Sequence, residues 1–321
     1  MKVLITGATG YLGRAVVAAC RDAGHETISF SRSAARSGLP GALVDGDVRD
    51  AGAVRRSMAG CDAVCHLAAL VAVWRRRADE FDRVNVEGLR NVIAAAASLD
   101  LSRVVYTSSF LALPPSGDGE PRAWNDYQRT KADADRLADA AVRAGAPIVR
   151  LYPGVLYGPG PMTEGNLVGR MIADHLAGRL PGLVGADRAW SYSWLEDVAA
   201  AHVTALERGA PGRRHLLGGE TATQMRVFEL VRELTARPLP RRIPAPLAVA
   251  AGAAGEAWGA ITGRPPALTV GTVEILLRDW MVPSEAARRE LGYRVTPLRE
   301  GIGRIVEELG RRGSAGGASR P

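Results

Sequence analysis

The chain opens with an apolar run, Val3-Leu-Ile-Thr6, that breaks straight into glycines at positions 7, 10 and 13 and a helical pattern from Leu12 to Ala23. Few folds accommodate that order. Gly7 permits a sharp turn out of a strand, and Gly10 lets backbone come close to a bound group at the positive end of the helix. Gly13 lets the helix pack tightly on the sheet. The group suited to such a turn is the pyrophosphate of a dinucleotide, cradled by Gly7, Gly10, Tyr11, Leu12 and Gly13. A lone glycine triplet says little, but its place between a strand and a helix is the context the motif requires.

The first 150 residues go on alternating short apolar runs with helical patterns. Strands are expected at Thr27–Phe30, Ala42–Val44, Ala63–Leu67, Arg103–Thr107 and Ile148–Leu151, with helices over Phe81–Leu99 and Tyr127–Ala144. This predicts an α/β fold, a doubly wound parallel sheet of Rossmann type with a smaller C-terminal substrate domain. After Pro153 glycine and proline become frequent, and a helix (Glu196–Arg208) and a strand (Arg214–Leu217) return to the first sheet. The expected division is residues 1–153 with a return segment at about 190–218 for the dinucleotide, and 154–189 with 219–309 for the substrate. Residues 310–321, rich in Gly, Ser and Arg, are expected to be a disordered tail.

Charge does not point to nucleic acid. The formal net charge is +7, but only two of the 41 basic residues are lysines, Lys2 and Lys131, so the arginine excess is a bias spread over the whole chain. The three cysteines, Cys20, Cys61 and Cys65, form neither a disulfide framework nor a zinc set and favour a reducing compartment, so the cytoplasm is expected. The most apolar later stretch, Ala245–Gly255, is too short to span a membrane, and no metal, membrane or nucleic-acid partner is expected. The implied partner is a small-molecule substrate, with a homodimer left open.

The end of the second strand bears on the cofactor. A carboxylate there would bind the 2′-hydroxyl of NAD, whereas Ser31-Arg32-Ser33 offers Arg32 to a 2′-phosphate, which favours NADP(H). After the third strand, Asp47 and Val48 stand where an adenine amino group could be held; Asp47 fits a plain turn equally well. The chemistry is carried by Tyr127 and Lys131, four apart on one helix face. A phenol is a poor acid–base group at neutral pH, and a neighbouring ammonium would lower its pKa. In a chain that writes almost every cation as arginine, a lysine at this spacing implies a requirement.

Gly7/Gly10/Gly13, His66-Leu-Ala-Ala69, Asn85-Val-Glu-Gly88, Val105-Tyr-Thr-Ser-Ser109, Tyr127/Lys131 and Pro153-Gly-Val-Leu-Tyr-Gly-Pro159 together resemble the extended short-chain dehydrogenases/reductases, the NAD-dependent epimerase/dehydratase superfamily. Leu70-Val-Ala-Val-Trp74, Glu196-Asp197-Val-Ala199 and Pro283–Tyr293 are most similar to the dihydroflavonol-4-reductase-like branch. The resemblance implies Ser109, Tyr127 and Lys131 as catalytic residues, with Thr107 and Ser108 as alternatives to Ser109 for orienting the substrate. It implies that Leu67, Ala68, Ala69, Thr107, Pro153 and Val155 join Tyr127 and Lys131 against the cofactor. His66 is expected to be structural, and Asn85 either holds nearby backbone or water or marks a helix kink.

Two departures bear on the substrate. Ser109 and Tyr127 are 18 residues apart, shorter than is usual in the family. Members acting on nucleotide-sugars carry an arginine seven residues before the position of Asp197, where this chain has Trp190, with Arg188 close by. Trp74, Trp190, Trp194 and an amphipathic Leu247–Trp258 segment would then wall an apolar or aromatic ketone reduced by NADPH. The alternative is an epimerase or dehydratase using the cofactor transiently, and behind it a non-catalytic dinucleotide sensor, for which a Tyr/Lys pair is superfluous.

Overall fold

Val3, Leu4 and Ile5 have no exposed surface, because β1 (Lys2–Thr6) lies in the middle of a seven-stranded parallel sheet and is covered on both faces. The computed structural model describes residues 1–116 and 122–317, and side chains as far as Arg312. From β1 the chain passes through α1 (Tyr11–Asp22), β2 (Glu26–Ser31) and β3 (Ala42–Asp45) to one edge of the sheet. It then crosses by α2 (Ala51–Met58) to β4 (Ala63–His66) on the other side of β1. A continuous helix follows: α3 (Asp79–Phe81), a π-helical turn (Asp82–Glu87) and α4 (Gly88–Ser98). Next come β5 (Arg103–Thr107), α5 (Asp126–Arg143) and β6 (Ile148–Pro153).

The second half starts with β7 (Val155–Tyr157), α6 (Leu167–Leu176), β8 (Leu183–Val184) and β9 (Ala189–Trp194). Then α7 (Leu195–Arg208) and β10 (Arg214–Leu217) return to the sheet, whose order is β3-β2-β1-β4-β5-β6-β10. The strand order reverses between β1 and β4, which opens a crevice at their C-terminal ends where such sheets bind ligands. The remainder is β11 (Glu220–Thr223), α8 (Gln224–Thr235), β12 (Arg242–Ile243), α9 (Ala245–Thr262), α10 (Val270–Leu276), α11 (Glu285–Leu291) and α12 (Leu298–Gly317). The expectation of an irregular tail from Gly310 falls partly on α12 and partly on 318–321, outside the described residues.

Three large cores, and a small one around Val184, Ala248 and Val273, hold this together. Val16 and Val17 of α1 meet Val198, Ala205 and Leu206 of α7 on one face of the sheet; Met58, Leu89, Val92, Ala134 and Ala138 cover the other. The third core, around Trp190, Trp194, Phe228, Val231 and Ile302, joins β7, β9, α8 and α12. Helix α9 differs from expectation: it is not amphipathic. Ala248, Gly252 and Gly259 make a narrow buried stripe, and every exposed residue from Pro246 to Ile261 is apolar.

Candidate active site at the C-terminal edge of the sheet

The turn after β1 is built for close approach. Gly7 has φ +70°, and a Cβ there would stand 2.7 Å from the Ala68 amide nitrogen. A Cβ on Gly13 would stand 2.2 Å from the Gly7 carbonyl oxygen, so α1 touches the turn directly. Gly10 is the N-cap of α1 and supplies no side-chain bond to its first amides. That leaves a shallow, positive cradle fitted to a pyrophosphate, and the residues present suit a dinucleotide. Tyr11 is buried, with its hydroxyl donating to the Gly158 carbonyl (2.8 Å), and Leu12 is buried behind it.

The other expected cofactor residues follow at successive strand ends. Arg32 stands exposed after β2 and forms no ion pair among the described residues. Asp47, after β3, uses both carboxylate oxygens on Arg49 (2.9 and 2.6 Å), and that pairing holds its carboxyl below the usual range. Val48 is buried against Gly88, and Asn91 donates to its carbonyl (2.9 Å). After β4, the Leu67 and Ala68 amides donate to the Thr6 carbonyl and hydroxyl (3.2 and 3.3 Å), which lays Leu67 and Ala68 beside Gly7, with Ala69 next in the chain. Pro153 ends β6, and Val155 lies two residues on. His66 is fully enclosed, 2.8 Å from the Thr6 hydroxyl, and burial with Lys131 nearby lowers its pKa to about 3. It stays neutral and structural.

Asn125 caps α5 by accepting from the Gln128 amide (2.8 Å), which sets Tyr127 in the first turn and Lys131 one turn further. Lys131 Nζ donates to the Thr107 carbonyl (2.9 Å) and lies 3.4 Å from the Tyr106 hydroxyl. Burial lowers its pKa to about 8, opposed by the charge of Asp135. Tyr127 is shifted upward by burial, with a hydrogen bond to Ser109 as the counterweight, so the phenol is kept protonated. This differs from the expected lowering by Lys131, because the ammonium is turned to Thr107 and Tyr106.

Of the three neighbouring hydroxyls, Thr107 faces away: its Oγ1 meets His202 Nε2 at 2.7 Å. Burial holds the His202 pKa at about 4, and Nδ1 donates to the Val198 carbonyl, so Nε2 accepts from Thr107. Ser108 is buried, and its hydroxyl faces that of Tyr106 without a well-formed hydrogen bond among the described residues. Ser109 accepts from the Leu111 amide (3.2 Å) and is the hydroxyl that faces Tyr127. Asn85 holds nearby backbone: it sits in the π-helical turn, accepts from the Leu70 amide (2.7 Å) and donates to Thr130 Oγ1 (2.9 Å).

Sequence reasoning missed Tyr106, His202 and Asp135. Asp135 was findable, since Tyr127, Lys131 and Asp135 recur every four residues on one face of α5; it accepts from the Tyr152 hydroxyl and from Arg214 (3.0 Å). Next to Ser109, Phe110 packs edge-on to Trp280 (5.3 Å) and 6.4 Å from Trp190, and Trp280 meets Trp124 at 6.4 Å. Trp190, Val155, Leu167, Met171, Tyr192 and Phe228 are among the residues lining an apolar cleft. Trp194 is not part of this wall. It is 2% exposed, packed on Tyr157 (5.2 Å) and pressed by Gly301 of α12. Trp74 is half-buried beside α9.

Among known proteins, the chain is 30% identical to sterol demethylase protein B of Methylococcus capsulatus, over 98% of this chain and 99% of that protein. It is 31% identical to a 2-alkyl-3-oxoalkanoate reductase of Stenotrophomonas maltophilia, over 95% and 98% of the two chains. The solved structure of MoeE5 with UDP-glucuronic acid and NAD superposes with a TM-score of 0.78 at 25% identity, covering 98% of this chain and 100% of the other. Residues 3–218, which hold the glycine turn, the Tyr127/Lys131 pair and the return to the sheet, match the model of one family. The chain belongs to the NAD dependent epimerase/dehydratase family.

Proposed function

We propose that this chain is an NADP(H)-dependent ketoreductase whose substrate is a small apolar or aromatic ketone. The observation that carries the reading is the junction of two features at Ser109. Its hydroxyl faces the Tyr127 phenol, which burial keeps protonated, and the next residue, Phe110, begins an aromatic wall of Trp124, Trp190 and Trp280. In this reading Ser109 and Tyr127 both point at the carbonyl oxygen, and Tyr127 delivers the proton that reduction requires. Lys131, fixed by the Thr107 carbonyl, places a positive charge one turn from the phenol. A bound nicotinamide would supply the hydride, and the cradle of Gly7, Gly10 and Gly13 would hold its pyrophosphate. Arg32, exposed and in no ion pair among the described residues, supports NADP(H) over NAD(H).

A nucleotide-sugar is less well served. Trp190 is buried, with its indole nitrogen committed to the Arg278 carbonyl (2.9 Å), and Arg188 already faces Asp279 at 3.5 Å. The reductase relative supports the same direction. The test is a panel of aromatic and long-chain ketones with NADPH, run beside Tyr127→Phe. Turnover by the unmodified protein and a loss of about 10²-fold or more in the variant, with NADPH binding retained, is expected. Conversion of UDP-sugars with no net NADPH consumption would replace this reading with an epimerase.

A further inference from the structure

Helix α9 exposes an apolar face that the site does not use. Leu247, Trp258 and Ile261 are 62%, 60% and 82% exposed, and the exposed residues between them are alanines. The one ionisable side chain of the helix, Glu256, is turned inward, where it accepts from the Val270 amide (2.9 Å) at the start of α10. The outward face therefore carries no charge. Trp74 extends it sideways: a Cβ on Gly259 would stand 3.7 Å from the Trp74 ring, and the neighbouring Val73 is 42% exposed.

Cations frame this face. Arg241 precedes the helix, Arg264 follows it, and Arg76 lies against Gly263; all three are exposed and form no ion pair among the described residues. A continuous exposed apolar patch marks a contact surface, and its rim identifies the contact. A second copy is disfavoured, since a twofold pairing of this face would bring the arginine-bearing ends of the two helices together. An anionic surface would meet the arginines while an apolar layer took up Leu247, Trp258 and Ile261. Among the described residues no helix is long and apolar enough to cross a membrane, so the helix would lie on one.

We propose that α9 is a docking helix for the surface of an anionic lipid bilayer. The surface adjoins the catalytic helix: α10 packs its Gly271 onto the Trp124 carbonyl, beside the Asn125 cap of α5. The docking itself does not depend on which substrate is reduced.

The test is co-sedimentation of the full chain with phosphatidylcholine vesicles, with and without phosphatidylglycerol, at low and raised salt. Two variants run alongside, Trp258→Glu/Ile261→Glu and Arg241→Gln/Arg264→Gln. All four positions are exposed, and thermal unfolding checks that both variants fold. The expected result is salt-sensitive binding to the phosphatidylglycerol vesicles that falls about tenfold or more in the first variant. The second variant is expected to lose the dependence on phosphatidylglycerol. Absence of vesicle binding, or equal binding by all three proteins, would overturn the proposal. So would a dimer of the unmodified chain that Trp258→Glu/Ile261→Glu dissociates.

Discussion

In the function proposed above, the two walls of the site are built in opposite ways. The nucleotide wall is largely backbone: turns at the ends of successive strands, with glycines after β1, β3 and β6 too close to their neighbours to carry a Cβ. The substrate wall is side chain: Phe110, Trp124, Trp190 and Trp280 come from four separate segments and meet only in the folded protein. The first wall tolerates almost no change of residue and is therefore generic. The second can be repacked without disturbing the sheet, and that is where members of one family can diverge in substrate.

Acid offers the largest contrast between them. His66 and His202, enclosed beneath the nucleotide wall and Thr107, have pKa values lowered by burial to about 3 and about 4. Unfolded histidines take up protons near pH 6.5, whereas these two resist until far lower pH, so the unfolded state gains protons first. The contribution of these two histidines is then constant well above pH 6.5 and falls below it, by about 1.4 kcal/mol per pH unit for each. Between pH 6 and 4 the loss is expected to reach about 5 kcal/mol, read from urea unfolding. Replacing His202 by Asn should roughly halve the slope; an unchanged slope would mean that the sheet side is not the acid-sensitive part.

Gly13→Ala probes the backbone wall directly. Its Cβ would meet the Gly7 carbonyl at 2.2 Å, with no rotamer to relieve the clash. A loss of about 3 kcal/mol or more is expected in denaturant unfolding, together with loss of dinucleotide binding. Trp124→Phe, a change in the other wall, should cost under about 1.5 kcal/mol and alter ketone preference instead. If the two variants cost the same, the distinction between the walls fails.

Arg32→Ala sharpens the comparison at one residue. Loss of a charge-assisted contact should weaken NADPH binding by about 1.5–3 kcal/mol and leave NADH binding and the ketone KM unchanged. Equal affinity of the unmodified protein for both cofactors would remove Arg32 from the nucleotide wall.

This division also explains what could be read from the sequence. Gly7, Gly10, Gly13, Tyr127 and Lys131 recur at short, fixed intervals, so their spacing is itself the signal, even where they touch distant residues such as Ala68 and Thr107. The pairing of Thr107 with His202 joins residues 95 apart and leaves no local trace. Trp190 and Trp194 lie on the same side of β9, as alternation requires, yet only Trp190 reaches the cleft, because Gly301 of α12 closes over the other. Helix α9 was misread for a simpler reason. With Glu256 as its one charged residue, it lacks the polar positions that an amphipathic face needs.

The π-helical turn at Asp82–Glu87 works as a spacer. It holds one more residue per turn than the helix on either side, and Asn85 inside it clasps Leu70 and Thr130. Removing a single residue there would restore an ordinary helix and swing everything before it round by about 100°. Asp82, which pairs with Arg129 at 2.6 Å, would then face away from the first turn of α5. Chain length in this stretch is thus fixed to the residue, although nothing in it touches the substrate wall.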